Sequence, residues 1–203
     1  MTGNTNSREG FTIIEVLVST AVISIATALM LQLIMVYFSA QNRTYSTLYS
    51  ESIARQMIAD IGEHVFEGYI EYDVYPGGHP ISMQEILPLR SLSGIETVYW
   101  FWTDAGGSKQ LYRCSDVPQD SFCPVGGTVD PSVDPMWHKM NPDDIIFSSG
   151  EFRVFPDDNP FISGGAPLTN ESPLVQVVMQ LNQPEGSQSP LFETAFASRI
   201  YVR

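Results

Sequence analysis

Basic residues are scarce in this chain of 203 residues, where ten Lys and Arg stand against 23 Asp and Glu for a net charge of −13. A balance this acidic repels bare nucleic acid, and no basic stripe is present to follow a phosphate backbone. Histidine is nearly as rare, and His64, His79 and His138 share neither metal-ligand nor catalytic-triad spacing. None of the paired glycines at 77–78, 106–107, 126–127 and 164–165 leads into the Gly-Lys-Ser/Thr of a phosphate loop, so each reads as a turn. An enzyme is therefore not the reading, and no cofactor or metal is expected.

Glycine and proline are missing from Phe11 to Ile61, which leaves one uninterrupted helical stretch. Charge is missing from Val16 to Asn42, so Glu15 stands alone at the head of an apolar run that ends at Tyr37-Phe38. That run, about 28 residues or about 42 Å as helix, exceeds the roughly 30 Å hydrocarbon layer of a bilayer. It is also too long for the apolar core of about 7 to 15 residues in a secretory signal peptide. A charge near the bilayer centre costs about 2.5 to 3.5 kcal/mol on insertion scales, so Glu15 calls for a cation. Cutting the chain between Gly10 and Phe11 would create one, an α-amino group about 6 Å along the helix axis. Between parallel chains offset along that axis, the amine of one meets the carboxylate of the next, a pattern that points to assembly.

The segment Gly10-Phe11-Thr12-Ile13-Ile14-Glu15 resembles the prepilin motif of type IV pilins and type II secretion pseudopilins. The resemblance implies that a prepilin peptidase cleaves after Gly10 and N-methylates Phe11, and that Glu15 is the family's assembly carboxylate. It also implies other pilin or pseudopilin subunits, an inner-membrane assembly platform and membrane lipid as partners. The result would be a single-pass membrane protein with an exported head, periplasmic or extracellular, assembled in a pilus or pseudopilus. Residues 1–10 are then a leader; its Arg8 and Glu9 cancel, where the family usually carries basic residues, and Arg43 sits on the opposite flank.

Past the apolar run, Tyr45, Tyr49, Ile53, Met57, Ile61 and Val65 recur every fourth residue, joined by Leu48 and Ile58. The spacing predicts an amphipathic continuation, so residues 11–38 form a membrane and filament-core helix and 39–67 its amphipathic half, with Gly62 at a fraying end. The two halves form one rod of roughly 75 to 80 Å. Residues 68–203 are long enough for one β-rich head. Period-two alternation predicts strands at 98–102 and 110–114 around a turn at Asp104 to Ser108, and at 175–181 and 192–202. Shorter strands are expected at 145–147 and 152–155, either side of a turn at Ser149-Gly150. The fold class is α+β, a long N-terminal helix laid across an antiparallel sheet, which is also the pilin architecture. The Val98-Tyr99-Trp100 run, the Leu111-Tyr112-Arg113 return and the closing strand resemble the larger minor subunits of the J and W types.

For an exported head, Cys114 and Cys123 read as a disulfide. A thiolate metal pair or a catalytic thiol are the other readings, which would need further ligands or a histidine base. Asp130, Asp134, Asp143-Asp144 and Asp157-Asp158-Asn159 could be imagined around Ca²⁺, yet adjacent aspartates point apart and a hard cation wants six to eight oxygens, so solvated turns are expected. The aromatic run Tyr99-Trp100-Phe101-Trp102 alternates faces in a strand and reads as packing rather than a binding platform. The sequence thus describes a structural minor pilin or pseudopilin that helps initiate or cap a filament. The alternatives are a major pilin and a membrane-anchored monomeric adhesin or ligand-binding protein.

Overall fold

A computed structural model describes residues 11–117, 123–125, 129–157, 172–182 and 190–199. The chain divides into two compact units, Met1–Leu48 and Tyr49–Arg203. Helix α1 (Ile13–Glu67) runs for 55 residues, as the missing helix breakers allow.

In the first unit α1 has no packing partner among the described residues, and its Leu, Ile, Val and Met side chains are exposed throughout. The stretch is long and apolar enough to cross a membrane. Its hydroxyls add little polarity to that surface: Thr20, Ser24 and Thr27 donate to the carbonyls of Leu17, Thr20 and Ile23 at 2.7 to 3.0 Å.

In the second unit the remainder of α1 lies against an antiparallel sheet of eight strands. These are β1 (Gly68–Ile70), β2 (Ile86–Ser91), β3 (Glu96–Thr103), β4 (Lys109–Val117), β5 (Trp137–Lys139), β6 (Phe147–Phe155), β7 (Leu174–Leu181) and β8 (Leu191–Ala197). The order is β1-β2-β3-β4-β6-β7-β8, with β5 on β4. Ala54, Met57, Ile61 and Val65 of α1 are buried against Tyr99, Phe101, Leu111, Phe152 and Val177 of one sheet face. Beyond β8, the Arg199 N–H donates to the Gly68 carbonyl at 3.2 Å and its Nε to the Phe66 carbonyl at 3.0 Å. The two ends of the sheet order therefore approach each other beside the end of the helix.

The predicted hairpin is β3 and β4. Asp104 closes its turn by accepting from the Ser108 N–H at 2.8 Å, and Gly107 supplies the positive φ of +81°. Three sequence expectations are corrected. Gly62 does not mark a fraying end: the helix continues to Glu67, and Gly62 is buried where Phe196 crosses it. Ser149-Gly150 is not a turn but the interior of β6, where a missing Cβ admits the Phe101 ring. The stripe on α1 is buried only in its second half, since Ile53 and Ile58 are partly covered while Tyr45, Leu48 and Tyr49 remain exposed. Strand β2 escaped sequence reading because five of its six residues are buried, which erases alternation, and because it contains Pro88, whose carbonyl accepts from the Glu71 N–H at 3.1 Å.

Candidate functional site

The N-terminal site is built on the first turn of α1. Thr12 caps it: its carbonyl accepts from the Val16 N–H at 3.2 Å and its Oγ1 from the Glu15 N–H at 3.3 Å. Glu15 thereby occupies the third helical position, the acidic place of a Thr-x-x-Glu capping pattern, near the positive end of the helix dipole. Thr12 is the functional neighbour that sequence reasoning missed, although that spacing was visible. The Glu15 side chain is exposed and makes no ion pair or side-chain hydrogen bond among the described residues. Phe11, just ahead of the cap, is 81% exposed. Gly10 and the rest of the leader lie outside the described residues.

Two polar clusters organise the head. Where α1 meets β3 and β4, Asp60 Oδ1 pairs with Arg113 Nη1 at 2.7 Å, and Asp60 Oδ2 accepts from the Tyr99 hydroxyl at 2.7 Å. His64 Nδ1 lies 2.9 Å from both that hydroxyl and the Asp60 carbonyl. Burial, then the Asp60 carboxylate, pushes the Tyr99 phenol well above its ordinary range, so the hydroxyl remains a donor. Asp60 could have been noticed in sequence as a carboxylate three residues after Met57, on the buried face.

The second cluster ties the cysteine loop to the sheet. Arg90 Nη2 pairs with Glu71 at 2.9 Å and lies 3.8 Å from Glu96, whose Oε2 accepts from the Cys123 N–H at 3.3 Å. Glu96 is 1% exposed, and burial raises its carboxyl above the ordinary value.

Cys114 and Cys123 form a disulfide with Cα atoms 6.1 Å apart. They sit with Ile86, Val98, Trp100, Tyr112 and Trp137 in a small core on the sheet face opposite α1. The aromatic run is divided between the two faces. Tyr99 and Phe101 lie under the helix, while Trp100 stacks edge-on with Trp102 and Trp137 at 5.0 and 5.4 Å between centroids.

The aspartates stay separate. Asp130 accepts from the Ser132 hydroxyl and N–H, which hold its carboxyl below the ordinary value, and Asp134 accepts from the Met136 N–H. Asp143 pairs with Lys139 at 2.6 Å, and that contact lowers its carboxyl too. Asp144 and Asp157 are exposed, and Asp158 and Asn159 lie outside the described residues. Among the described residues no three His, Cys, Asp or Glu converge to hold a metal. His79 precedes a turn of 3-10 helix at Pro80–Met83, and His138 is exposed on β5.

A capped carboxylate thus heads a helix long and apolar enough to cross a membrane, and a separate α+β unit follows it. A family model, the prokaryotic N-terminal methylation motif, matches residues 5–31. The chain therefore carries a prepilin-type N-terminal methylation motif, of the kind that type IV pilins and pseudopilins bear. No curated protein and no solved structure matches the chain.

Proposed function

We propose that this chain is a minor pilin or pseudopilin of the J or W type that helps initiate or cap a type IV pilus or a type II secretion pseudopilus. Prepilin peptidase cleaves between Gly10 and Phe11 and methylates the Phe11 amine. Glu15 then receives the amine of an adjoining subunit, while other subunits, the assembly platform and lipid surround the helix. The observation that carries this reading is Glu15 itself, held by Thr12 in the first helical turn with its carboxylate unanswered among the described residues. An intramembrane acid without an internal partner is costly, and association is the way to supply one. The head is displayed on the exported side, where the Cys114–Cys123 bond is chemically at home. An adhesin reading draws less support, because the aromatics that would form its platform are used in packing.

Co-expression with a prepilin peptidase tests the proposal. The mature chain is expected to begin at Phe11 with an N-methyl group, read by mass spectrometry of the intact protein. Glu15→Ala is expected to leave membrane insertion intact and to reduce incorporation into filaments at least tenfold. A full-length product, or undiminished incorporation of the variant, would overturn it.

A further inference from the structure

Arg43 is the exception among the described cations. Every other described Arg or Lys is held within the chain: Arg55, Arg90, Lys109, Arg113, Lys139 and Arg153 by carboxylates, and Arg199 by the Phe66 carbonyl and ring. Arg43 is exposed and makes no such contact with the described residues, in a protein whose acids outnumber its bases by 23 to 10. It is also the first charge after Glu15. The uncharged residues 16–42 span about 40 Å as helix, close to the roughly 40 to 45 Å of a whole bilayer with its headgroups. Arg43 therefore stands at the level of the head-side interface, beyond the apolar run that Glu15 heads.

Its surroundings have the composition of such an interface. Tyr37, Phe38 and Tyr45 are 65%, 56% and 63% exposed. At about 100° per residue, Tyr37 projects about 120° to one side of Arg43, and Phe38 and Tyr45 project about 140 to 160° to the other. The four side chains thus encircle the helix within three turns. A contact with one protein neighbour needs one stripe, whereas a headgroup layer meets the helix from all sides. Aromatic rings favour the headgroup level, and a guanidinium matches a phosphate through paired N–H donors.

We propose that Arg43, ringed by Tyr37, Phe38 and Tyr45, is a phospholipid-phosphate site that sets the depth of the unassembled subunit at the head-side membrane interface. The occupant is the phosphate of a lipid, and an anionic lipid is preferred. The proposal rests on the membrane reading of α1. It adds a ligand for Arg43 that assembly through Glu15 does not require.

The test uses the full chain in phosphatidylcholine vesicles with and without phosphatidylglycerol, with tryptophan introduced as Tyr37→Trp. The unsubstituted chain gives the background from the head tryptophans, and lipids brominated at different depths report where the new ring sits. Quenching is expected to peak with bromines nearest the headgroups. Arg43→Gln is expected to move that peak and to lower the phosphatidylglycerol retained in native mass spectrometry at least threefold, while Arg43→Lys keeps most of it. A peak at the bilayer centre, or unchanged depth and lipid retention in Arg43→Gln, would overturn the phosphate site while leaving the membrane reading standing. Absence of quenching at every depth would remove the membrane reading and this inference with it. Should Arg43→Gln instead abolish cross-linking to a neighbouring subunit with lipid retention unchanged, Arg43 serves a protein contact and the inference fails.

Discussion

Gly62 on α1 and Phe196 on β8 touch so closely that a Cβ added to Gly62 would lie 2.5 Å from the ring's Cε1 and 2.8 Å from Cζ. A glycine in mid-helix costs about 1 kcal/mol relative to alanine, so its presence here is bought back by the approach of the strand.

Gly62→Ala is accordingly expected to destabilise the head, because overpacking costs about 1 to 3 kcal/mol and outweighs the propensity gain. Denaturant unfolding of the detergent-solubilised chain measures this, and Gly62→Ala with Phe196→Leu is expected to recover much of the loss. Gly150→Ala is expected to cost more than Gly62→Ala. The ring it meets, Phe101, is fully buried between Phe147 and Phe152 at 5.6 and 4.9 Å, whereas Phe196 is only half-buried.

Asp60→Ala leaves Arg113 and the Tyr99 hydroxyl without their shared acceptor at the joint between α1 and the sheet. The expected loss is about 1 to 3 kcal/mol. Glu51→Ala provides the contrast, since it removes an exposed i,i+4 pair with Arg55 worth only about 0.3 to 0.5 kcal/mol. Equal losses in the two variants would show that the joint adds nothing beyond a surface pair.

Glu96 gives the head a pH dependence of unusual sign. Burial raises its folded pKa above the unfolded value of 4.5, so the folded state holds the proton more tightly. The resulting stabilisation is fully present below pH 4.5 and is lost as pH rises through the raised folded value. Glu96→Gln, whose side-chain oxygen can still accept from the Cys123 N–H, is expected to remove this slope. Unfolding free energies of both proteins across that interval decide the matter, and parallel curves would count against burial as the cause.

Removing the disulfide as Cys114→Ser with Cys123→Ser is expected to cost about 2.5 to 3 kcal/mol, the chain-entropy value for a loop of about ten residues. Because both cysteines pack in the core that holds Trp100 and Trp137, the loss should be accompanied by a change in tryptophan emission. Unaltered emission with unaltered stability would mean that side-chain packing alone holds the loop.

Much of this architecture is written locally. The missing glycine and proline, the missing charge and the Gly10-Phe11 to Glu15 spacing determine a long helix, the apolar surface of its first half and the lone carboxylate at its head, because these depend only on neighbours within a few turns of chain. The alternation around Val98 and Val175 likewise declares strands, each with one face for a core. What Gly62 and Gly150 do was decided elsewhere. A glycine reads as a breaker until a distant ring, Phe196 or Phe101, arrives to fill the space where its side chain would be. The partners of Asp60 and Glu96 also come from remote strands and loops, 53 residues away for Arg113 and 27 for Cys123. Local sequence sets which conformations are cheap, but only the assembled sheet sets which side chains share a volume, and close approach and buried charge exist only once that volume is shared.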